Sequence, residues 1–239
     1  MIVFLKHVDS EGPGTWQEFL SYKSPMNYRI VELHKGDSLP PLDKCEAVIS
    51  LGGTMNVYEV AKYPFLEYEE EVLKKALKVN IPILGICLGA QILAKVCGSR
   101  ITRAKIKEMG WRKLRLTKAG SKDPLFMGLP AELDVFQWHQ DTFEIPEGAL
   151  HLAETKSCPN QAFRIGENAY GLQFHIEVTP AMIKSWIEAY AKNGYPGKKR
   201  RLEKDFEGCL KLEKEAEIVY SNFARIINNR KKRPWEFKF

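Results

Sequence analysis

The sequence predicts an α/β fold with a mostly parallel central sheet flanked by helices, a smaller antiparallel or mixed sheet region, and C-terminal helices. Two observations lead to this class. Short runs rich in Ile, Val and Leu recur without polar alternation, which is typical of strands buried on both faces. Amphipathic helical patterns lie between these runs, and an alternation of strand and helix favours a parallel sheet.

The first half of the chain supplies the parallel strands. Its apolar runs, each followed by a turn, occupy residues 2–5, 28–33, 47–51 and 81–86. One helix is predicted over 66–77, where apolar residues recur at helical spacing between charges. A second helix is predicted over 88–97, because Gly98 follows it as a typical stop residue.

The second half combines closely spaced strands with C-terminal helices. Strands suited to antiparallel pairing are predicted at 111–116, 133–138, 150–154, 162–165 and 170–174. Thr179 followed by Pro180 predicts a helix start. The inward stripe of that helix is predicted to contain Ile183, Trp186, Ile187 and Tyr190. A last helix is predicted over about 202–228, with an inward face formed by Phe206, Leu210, Tyr220, Phe223 and Ile227.

The net charge of +6 belongs to the C-terminal segment. Residues 194–239 hold 13 Lys and Arg against 7 Asp and Glu, so the rest of the chain is balanced. The basic runs at 198–201 and 230–233 are separated by interleaved acidic residues, and no aromatic and basic platform accompanies them. This pattern favours a solvated helical face over a nucleic-acid-binding tail.

The cysteine count and the hydropathy indicate the cellular compartment in which the protein is expected. The five cysteines form no CxxC pair, which argues against a disulfide framework or a zinc site and favours a reducing, cytoplasmic compartment. No apolar run approaches the ~20 residues of a membrane span, and the N-terminus has no cleavage-site pattern. We therefore expect no membrane association, and the sequence indicates no metal and no cofactor.

The strongest local signal for chemistry is ILGICLGAQ at 83–91. A buried strand leads directly into a helix, with Cys87 at the junction and Gly85 and Gly89 two positions away on either side. This is the pattern of a sharp turn that exposes a nucleophile in a strained backbone position. The following helix N-terminus favours the thiolate form. The alternative is a buried core cysteine beside a tight turn.

A second signal is YGLQFHIEV at 170–178, which places His175 and Glu177 two positions apart in an apolar run. On a strand, such residues share one face, so Glu177 is expected to hold one ring nitrogen of His175 while the other faces a thiol. A structural His–Glu pair is the alternative. In SLGGTM at 50–55, the glycines allow backbone N–H groups to approach a ligand, and one of them is expected to form an oxyanion hole with the Leu88 N–H.

These three motifs, in this order, resemble those of class I glutamine amidotransferases. GICLGAQ is similar to the nucleophile motif of the family, LGG to its oxyanion-strand motif, and FHIEV to its His-x-Glu motif. Further stretches, including KHVDSEGPG and WHQDTF, resemble stand-alone proteins similar to the glutaminase part of GMP synthetase. The resemblance covers residues 1–190 and implies the flavodoxin-like, three-layer fold of the family. Residues 191–239 are expected to form a basic helical extension packed on the same domain.

The resemblance implies roles for individual residues. Cys87 is the nucleophile, His175 the proton carrier and Glu177 its support, with the N–H groups of Gly53 and Leu88 as the oxyanion hole. The residues implied in substrate binding are Gly52, Met55, Gln91, His139, Gln140 and Asp141. Two positions depart from the family, because Ile176 and Thr54 stand where Pro is usual. The lack of proline at these two positions is expected to change the local rigidity of the backbone, whereas the spacing of the motifs is intact.

The implied activity is hydrolysis of glutamine to glutamate and ammonia through a γ-glutamyl thioester, with the ammonia handed to an acceptor. The chain carries no P-loop motif, so an acceptor-activating synthetase subunit would be a separate protein. Two alternatives remain open. The same groups suit a stand-alone γ-glutamyl hydrolase or peptidase, and the fold also suits a non-catalytic regulatory or binding module.

Overall fold

The computed structural model describes residues 1–192 and 202–232, and within them the strands form a single mixed sheet. The order of its nine strands is β2-β1-β3-β4-β9-β8-β7-β5-β6. The strands are β1 (Ile2–Lys6), β2 (Tyr28–Glu32), β3 (Ala47–Ser50), β4 (Ile83–Ile86), β5 (Ile101–Leu116), β6 (Glu132–Phe143), β7 (Leu150–Glu154), β8 (Ala162–Ile165) and β9 (Ala169–Leu172).

Helices cover both faces of this sheet. They are α1 (Thr15–Glu18), α2 (Phe65–Lys78), α3 (Leu88–Val96), α4 (Pro180–Lys192) and α5 (Leu202–Lys232), and α1 continues as a π-helical turn over Phe19–Lys23. Successive strand residues point to opposite faces. Phe4 and Ile49 therefore join the core formed with α1, α4 and α5, whereas Val3 and Val48 join the core formed with α2 and α3. The predicted α/β class is confirmed.

The parallel half carries the edge at which a site is expected. β1 pairs with β2 and β3, β3 with β4, and β4 with β9, all in parallel. The carboxyl ends of these strands therefore meet along one edge, which is where ligands bind in open α/β sheets. His7, Leu51 and Cys87 follow three of these strands at that edge.

The antiparallel half is larger than the sequence indicated. Among the described strands, the pairs β5–β6, β5–β7, β7–β8 and β8–β9 are antiparallel, as many as the parallel pairs. β5 and β6 extend well beyond the predicted 111–116 and 133–138. β9 pairs with β4 on one side and β8 on the other, so both halves form one sheet.

The helix start predicted at Thr179 and Pro180 is confirmed. Thr179 Oγ1 accepts a hydrogen bond from the Met182 N–H at 3.2 Å, the N-cap interaction expected of threonine. Ile183 and Trp186 are buried and Ile187 is half-buried, as predicted. The side chain of Tyr190 lies outside the described residues.

The inward face predicted for the last helix is wrong at its N-terminal end. Phe206 and Leu210 are both 53% exposed, whereas Tyr220, Phe223 and Ile227 are buried as predicted. Counting back from Tyr220 in steps of three or four residues traces a different stripe along the helix, and this stripe faces the core. Its buried members are Asp205, Cys209, Leu212, Ala216 and Val219. All of them except Asp205 are apolar and join the core cluster that contains Phe4.

The predicted domain boundary at residue 190 stays a prediction, because the adjoining residues 193–201 lie outside the described part. The basic run 198–201 lies there too, as do the side chains of 231–233. None of the described helices is both long and apolar enough to cross a membrane.

Candidate active site

Cys87 occupies the predicted sharp turn between β4 and α3. Its φ of 51° and ψ of −103° are rare for a residue with a side chain and indicate local strain. The flanking glycines explain why the turn forms. A Cβ on Gly85 would lie 2.6 Å from the carbonyl carbon of Gly89, and a Cβ on Gly89 would collide with the backbone of Ser50. Larger residues at either position would therefore clash, and the predicted sharp turn is confirmed.

Cys87 is only 6% exposed, so the expectation that the turn exposes its side chain is wrong, and the residue lies among polar groups from two other parts of the chain. Its Sγ is 3.9 Å from the Trp138 carbonyl oxygen, and the Gln173 side-chain amide donates to it at 3.7 Å. The Cys87 N–H is bonded to Leu172 and the Gly89 N–H to Leu51. The N–H groups on either side of Leu88 are thus occupied by backbone acceptors.

His175 and Glu177 form a buried pair. His175 Nδ1 lies 2.7 Å from Glu177 Oε1, and both side chains are at most 2% exposed. The expectation that both lie on a strand is wrong, because β9 ends at Leu172. His175 instead makes an isolated bridge to Phe136 on β6, with its N–H bonded to the Phe136 carbonyl at 2.9 Å. The irregular backbone bends the segment and still brings the two side chains together.

The electrostatic setting of His175 favours its charged form. Burial disfavours the charge, but the negative groups of Glu177 and Cys87 and the hydrogen bonds to both outweigh burial and raise the pKa of His175 well above its ordinary value. Trp186 packs edge-on against the imidazole, with ring centroids 4.9 Å apart. The ring is therefore held between a carboxylate, a thiol and an indole.

The C-terminal helix also reaches this pair. The Tyr220 hydroxyl donates to the Ile176 carbonyl at 3.1 Å and lies 2.7 Å from Thr15 Oγ1. Ile176 is the residue between His175 and Glu177. The Thr15 N–H in turn donates to the Glu177 carbonyl at 3.0 Å. The carbonyls of Ile176 and Glu177 are thus both held by hydrogen bonds from other elements.

The loop after β3 places its glycines beside the start of α3. A Cβ on Gly53 would lie 2.6 Å from Leu88 Cδ2 and 2.7 Å from Met55 Sδ, so Gly53 packs closely against both side chains. Gly53 and Leu88 are therefore neighbours, as the sequence led us to expect. Gly52 is buried, and Thr54 is exposed at the tip of the loop.

Three buried residues under this loop were not singled out from the sequence. His7 Nδ1 lies 2.9 Å from the Gly52 carbonyl oxygen, and His7 Nε2 lies 2.6 Å from Glu69 Oε2. The Ser50 hydroxyl donates to Glu69 Oε1 at 2.5 Å. All three residues are fully buried. Glu69 lies three residues after Leu66 and three before Val72, so its place on the apolar face of α2 was the available signal.

A fourth such residue is Glu11, which lies beside the His175–Glu177 pair. A Cβ on Gly52 would collide with the Glu11 carboxyl group and would lie 3.0 Å from His175 Cε1. Glu11 is 8% exposed. Burial raises its pKa from 4.5 to about 7, opposed by the positive charge of His175 and reinforced by the negative charge of Glu177.

The predicted substrate residues on β6 and α3 come together behind the thiol. Gln91 donates to the Asp141 carbonyl at 3.0 Å and to the Gln173 side-chain oxygen at 3.3 Å. The Tyr58 hydroxyl donates to Asp141 Oδ2 at 3.1 Å. Gln140 points elsewhere, because its side-chain oxygen accepts hydrogen bonds from the Arg103 guanidinium.

His139 has a partner that the sequence did not reveal. The β5–β6 register sets Glu108 directly opposite it, and His139 Nε2 lies 3.0 Å from Glu108 Oε2. His139 Nδ1 lies 3.0 Å from the Asp141 carbonyl oxygen. Both ring nitrogens therefore face acceptors within the protein, and neither is free to carry protons to a ligand.

Glu108, His139 and Cys158 offer atoms close enough to hold a metal ion. However, each Glu108 oxygen already accepts two hydrogen bonds. The donors are Thr155 and Ser157 on one oxygen and His139 and Gln161 on the other. Burial alone would raise the pKa of Glu108, but these hydrogen bonds lower it. Because both oxygens are fully bonded, these groups form a hydrogen-bond network that orients His139.

Comparisons with known proteins identify the family of this chain. The family described as glutamine amidotransferase class-I matches residues 21–189. A glutamine amidotransferase-like protein of Salmonella typhimurium, YfeJ, is 28% identical over 191 residues, which are 77% of this chain and 79% of that protein. A glutamine-hydrolysing GMP synthase of Thermosipho melanesiensis is 37% identical over 67% of this chain, but the match spans only 29% of that longer protein.

Solved structures agree over nearly the whole chain. A glutamine amidotransferase from Thermotoga maritima superposes with a TM-score of 0.85 at 37% identity, covering 95% of this chain and 97% of that one. A glutamine amidotransferase from Methylobacillus flagellatus gives 0.84 at 26% identity, with 94% of each chain covered. The family match extends over more than half of the sequence. The chain therefore belongs to the class I glutamine amidotransferase family.

Proposed function

We propose that this protein hydrolyses the γ-carboxamide of glutamine to glutamate and ammonia through a Cys87–His175–Glu177 triad, and that the ammonia passes to an acceptor. One observation carries the proposal. His175 is buried with one nitrogen on Glu177 and with the strained Cys87 among the groups that raise its pKa. A structural His–Glu pair would have no need of an adjacent thiol held in a strained turn.

In the first half-reaction, the Cys87 thiolate attacks the side-chain carboxamide carbon. The new C–S bond gives a tetrahedral intermediate with its negative charge on the former carbonyl oxygen. His175, charged and held by Glu177, donates its proton to the departing nitrogen as the C–N bond breaks. Ammonia leaves, and a γ-glutamyl thioester remains on Cys87.

The tetrahedral intermediate is stabilised by the N–H groups of Gly53 and Leu88. The contact between Gly53 and the Leu88 side chain supports this assignment, because it sets the two backbone segments side by side near the thiol. A single donor of this kind contributes ~10²–10³-fold to kcat in comparable sites. In the second half-reaction, His175 takes a proton from water, hydroxide attacks the thioester carbon, and glutamate and the thiolate are released.

We assign substrate positioning to Gly52, Met55, Gln91, His139, Gln140 and Asp141, with different parts. Gln91 and Asp141 are supported by their contacts to each other and to Gln173, which touches the thiol. His139 acts through the Asp141 carbonyl. For Gln140 the role rests on the family resemblance alone, because its side chain binds the Arg103 guanidinium instead.

A partner-free γ-glutamyl hydrolase or peptidase is the second candidate. All members of the proposed site come from this one chain, and two of its pairs, His175 with Glu177 and Gln91 with Asp141, are already hydrogen-bonded, which favours turnover without a partner. The GMP synthase relatives favour the first candidate, since their names give a synthetase activity and this chain matches less than a third of one such relative. A separate synthetase subunit would then receive the ammonia.

The test is to incubate the protein alone with a diazo-ketone analogue of glutamine and to map the adduct by mass. A single adduct on Cys87 that is lost in His175→Ala supports the triad. Release of ammonia from glutamine is then compared with cleavage of a γ-glutamyl dipeptide. Preference for the dipeptide favours the peptidase. No adduct, with Cys87 still alkylated by a small thiol reagent, contradicts the proposed site and favours a non-catalytic module.

A further inference from the structure

We propose that a charged His7, held by Glu69, is a positioning residue that locks the Gly52–Gly53 peptide with its N–H directed at the oxyanion. This inference rests on the proposed function, because it explains how one of the two proposed donors is aimed. The residues involved are His7, Glu69 and Ser50, which we call the loop clamp.

The peptide unit itself supplies the first step. The C=O of Gly52 and the N–H of Gly53 belong to the same planar trans peptide, so they point in opposite directions. The hydrogen bond of 2.9 Å from His7 Nδ1 to the Gly52 oxygen therefore also sets the direction of the Gly53 N–H. A peptide between two glycines has little intrinsic preference for one orientation. A lock from outside the loop is needed.

The charge of His7 is the second step. A neutral imidazole has one N–H donor and one acceptor nitrogen, but both His7 nitrogens face acceptors, the Gly52 carbonyl and the Glu69 carboxylate. His7 donates to both only as an imidazolium. Glu69 holds that charge, and its second oxygen is fixed by the Ser50 hydroxyl.

The surroundings keep this arrangement away from water. The three clamp side chains are fully buried, and the Phe65 ring stacks on His7 at 6.1 Å with an angle of 24°. Burial opposes the charge on His7, but Glu69, the Gly52 carbonyl and the more distant Glu11 outweigh it and raise the pKa of His7. A cationic donor on the Gly52 oxygen also polarises the peptide, which makes the Gly53 N–H a stronger donor.

Glu69→Gln tests the clamp with little change of volume. Without the carboxylate, His7 becomes neutral, so its bond to the Gly52 oxygen loses the charge that strengthens it and the lock is weakened. With γ-glutamyl-p-nitroanilide as substrate, we expect kcat to fall by about 10- to 100-fold with KM changed less than threefold. Alkylation of Cys87 by iodoacetamide, which needs no oxyanion hole, is expected to stay within twofold of the wild type.

Three controls separate positioning from folding. Asp123→Asn removes the charge of a buried carboxylate that pairs with Arg164 on β8 and contacts no residue of the clamp, and it is expected to leave kcat within twofold. The double variants H7N/E69Q and H7L/E69Q have equal charge but differ in the N–H donor at position 7. The first is expected to retain about tenfold more kcat. Nitrogen-15 spectra of labelled histidine should show His7 doubly protonated only in the protein with Glu69.

The outcomes distinguish this inference from the proposed function. A wild-type protein that neither cleaves the anilide nor reacts with the diazo-ketone overturns the proposed function. Amide exchange of Gly53 still tests the lock in that case, because it should accelerate in Glu69→Gln. Unchanged Gly53 exchange, unchanged kcat in an active protein, or a His7 ring that stays neutral in the wild type overturns the clamp.

Discussion

His175 Nδ1 and Glu177 Oε1 lie 2.7 Å apart although the strand that precedes them ends at Leu172. The segment that carries them is irregular. Its His175 N–H donates to the Phe136 carbonyl, and its own carbonyls accept from the Thr15 N–H and the Tyr220 hydroxyl. Among the described residues, the second Glu177 oxygen has no hydrogen-bond partner. The carboxylate is therefore committed to His175.

Glu177→Gln is expected to lower kcat by about 10²–10⁴-fold with a small change in KM. The amide keeps the volume but no longer stabilises the imidazolium, so His175 loses its preferred orientation and charge. The measurement is steady-state cleavage of γ-glutamyl-p-nitroanilide. Glu147→Gln, at an exposed position, serves as the control. Equal kcat values for both variants would remove Glu177 from the triad.

Tyr220→Phe tests whether the C-terminal helix supports the site. Loss of the hydroxyl leaves the buried Ile176 carbonyl without this donor, so the free energy of unfolding should fall by about 1–2 kcal/mol. Because Ile176 lies between His175 and Glu177, we also expect kcat to fall by several-fold. Urea unfolding and anilide cleavage measure the two effects. Tyr22→Phe, at a residue 81% exposed, should change neither.

Gly89→Ala should destabilise the protein and disrupt the turn at Cys87. The new Cβ meets the Ser50 backbone, which has no flexible end that moves aside, and overpacking of this kind costs about 1–3 kcal/mol or more. Chemical denaturation gives the cost, and the rate of Cys87 alkylation reports the geometry of the turn. Gly12→Ala is the matched control, because a Cβ there has no atom within 4 Å. A stable Gly89→Ala protein with normal alkylation would contradict the close approach.

Glu11→Gln should change the pH dependence of stability. The folded-state pKa of about 7 lies above the ordinary 4.5, so between these values the folded protein binds a proton that the unfolded chain has released. Stability from this group is therefore present below pH 4.5 and is lost as the pH rises to about 7. A shift of this size corresponds to about 3 kcal/mol.

The glutamine variant has no such proton, so relative to wild type it should gain stability progressively from pH 4.5 to 7 and then remain constant. Urea unfolding of both proteins at several pH values gives this difference directly. Groups that titrate alike in both proteins cancel. A difference that does not vary with pH would show that Glu11 is ionised throughout this range.

The sequence predicted those local elements whose residue pattern has one direct physical cause within a few residues. No larger residue fits at Gly85 or Gly89 on either side of Cys87, so the turn could be predicted from the five residues GICLG. The start of α4 was equally local, since Thr179 and Pro180 act within one helical turn. The inward face of α5 was not a local feature. Phe206 and Leu210 are apolar but exposed, because an apolar residue type does not determine which stripe of a helix packs against the core.

By itself, the sequence determined the α/β class, the position of the candidate nucleophile and the His-x-Glu spacing, because these depend on contacts a few residues apart. The tertiary structure decided which distant groups meet there. His7 with Glu69, Glu108 with His139 and Tyr220 with Ile176 are 62, 31 and 44 residues apart. Burying a charge or a carbonyl requires a partner. Only strand order, register and helix packing determine which residue supplies it.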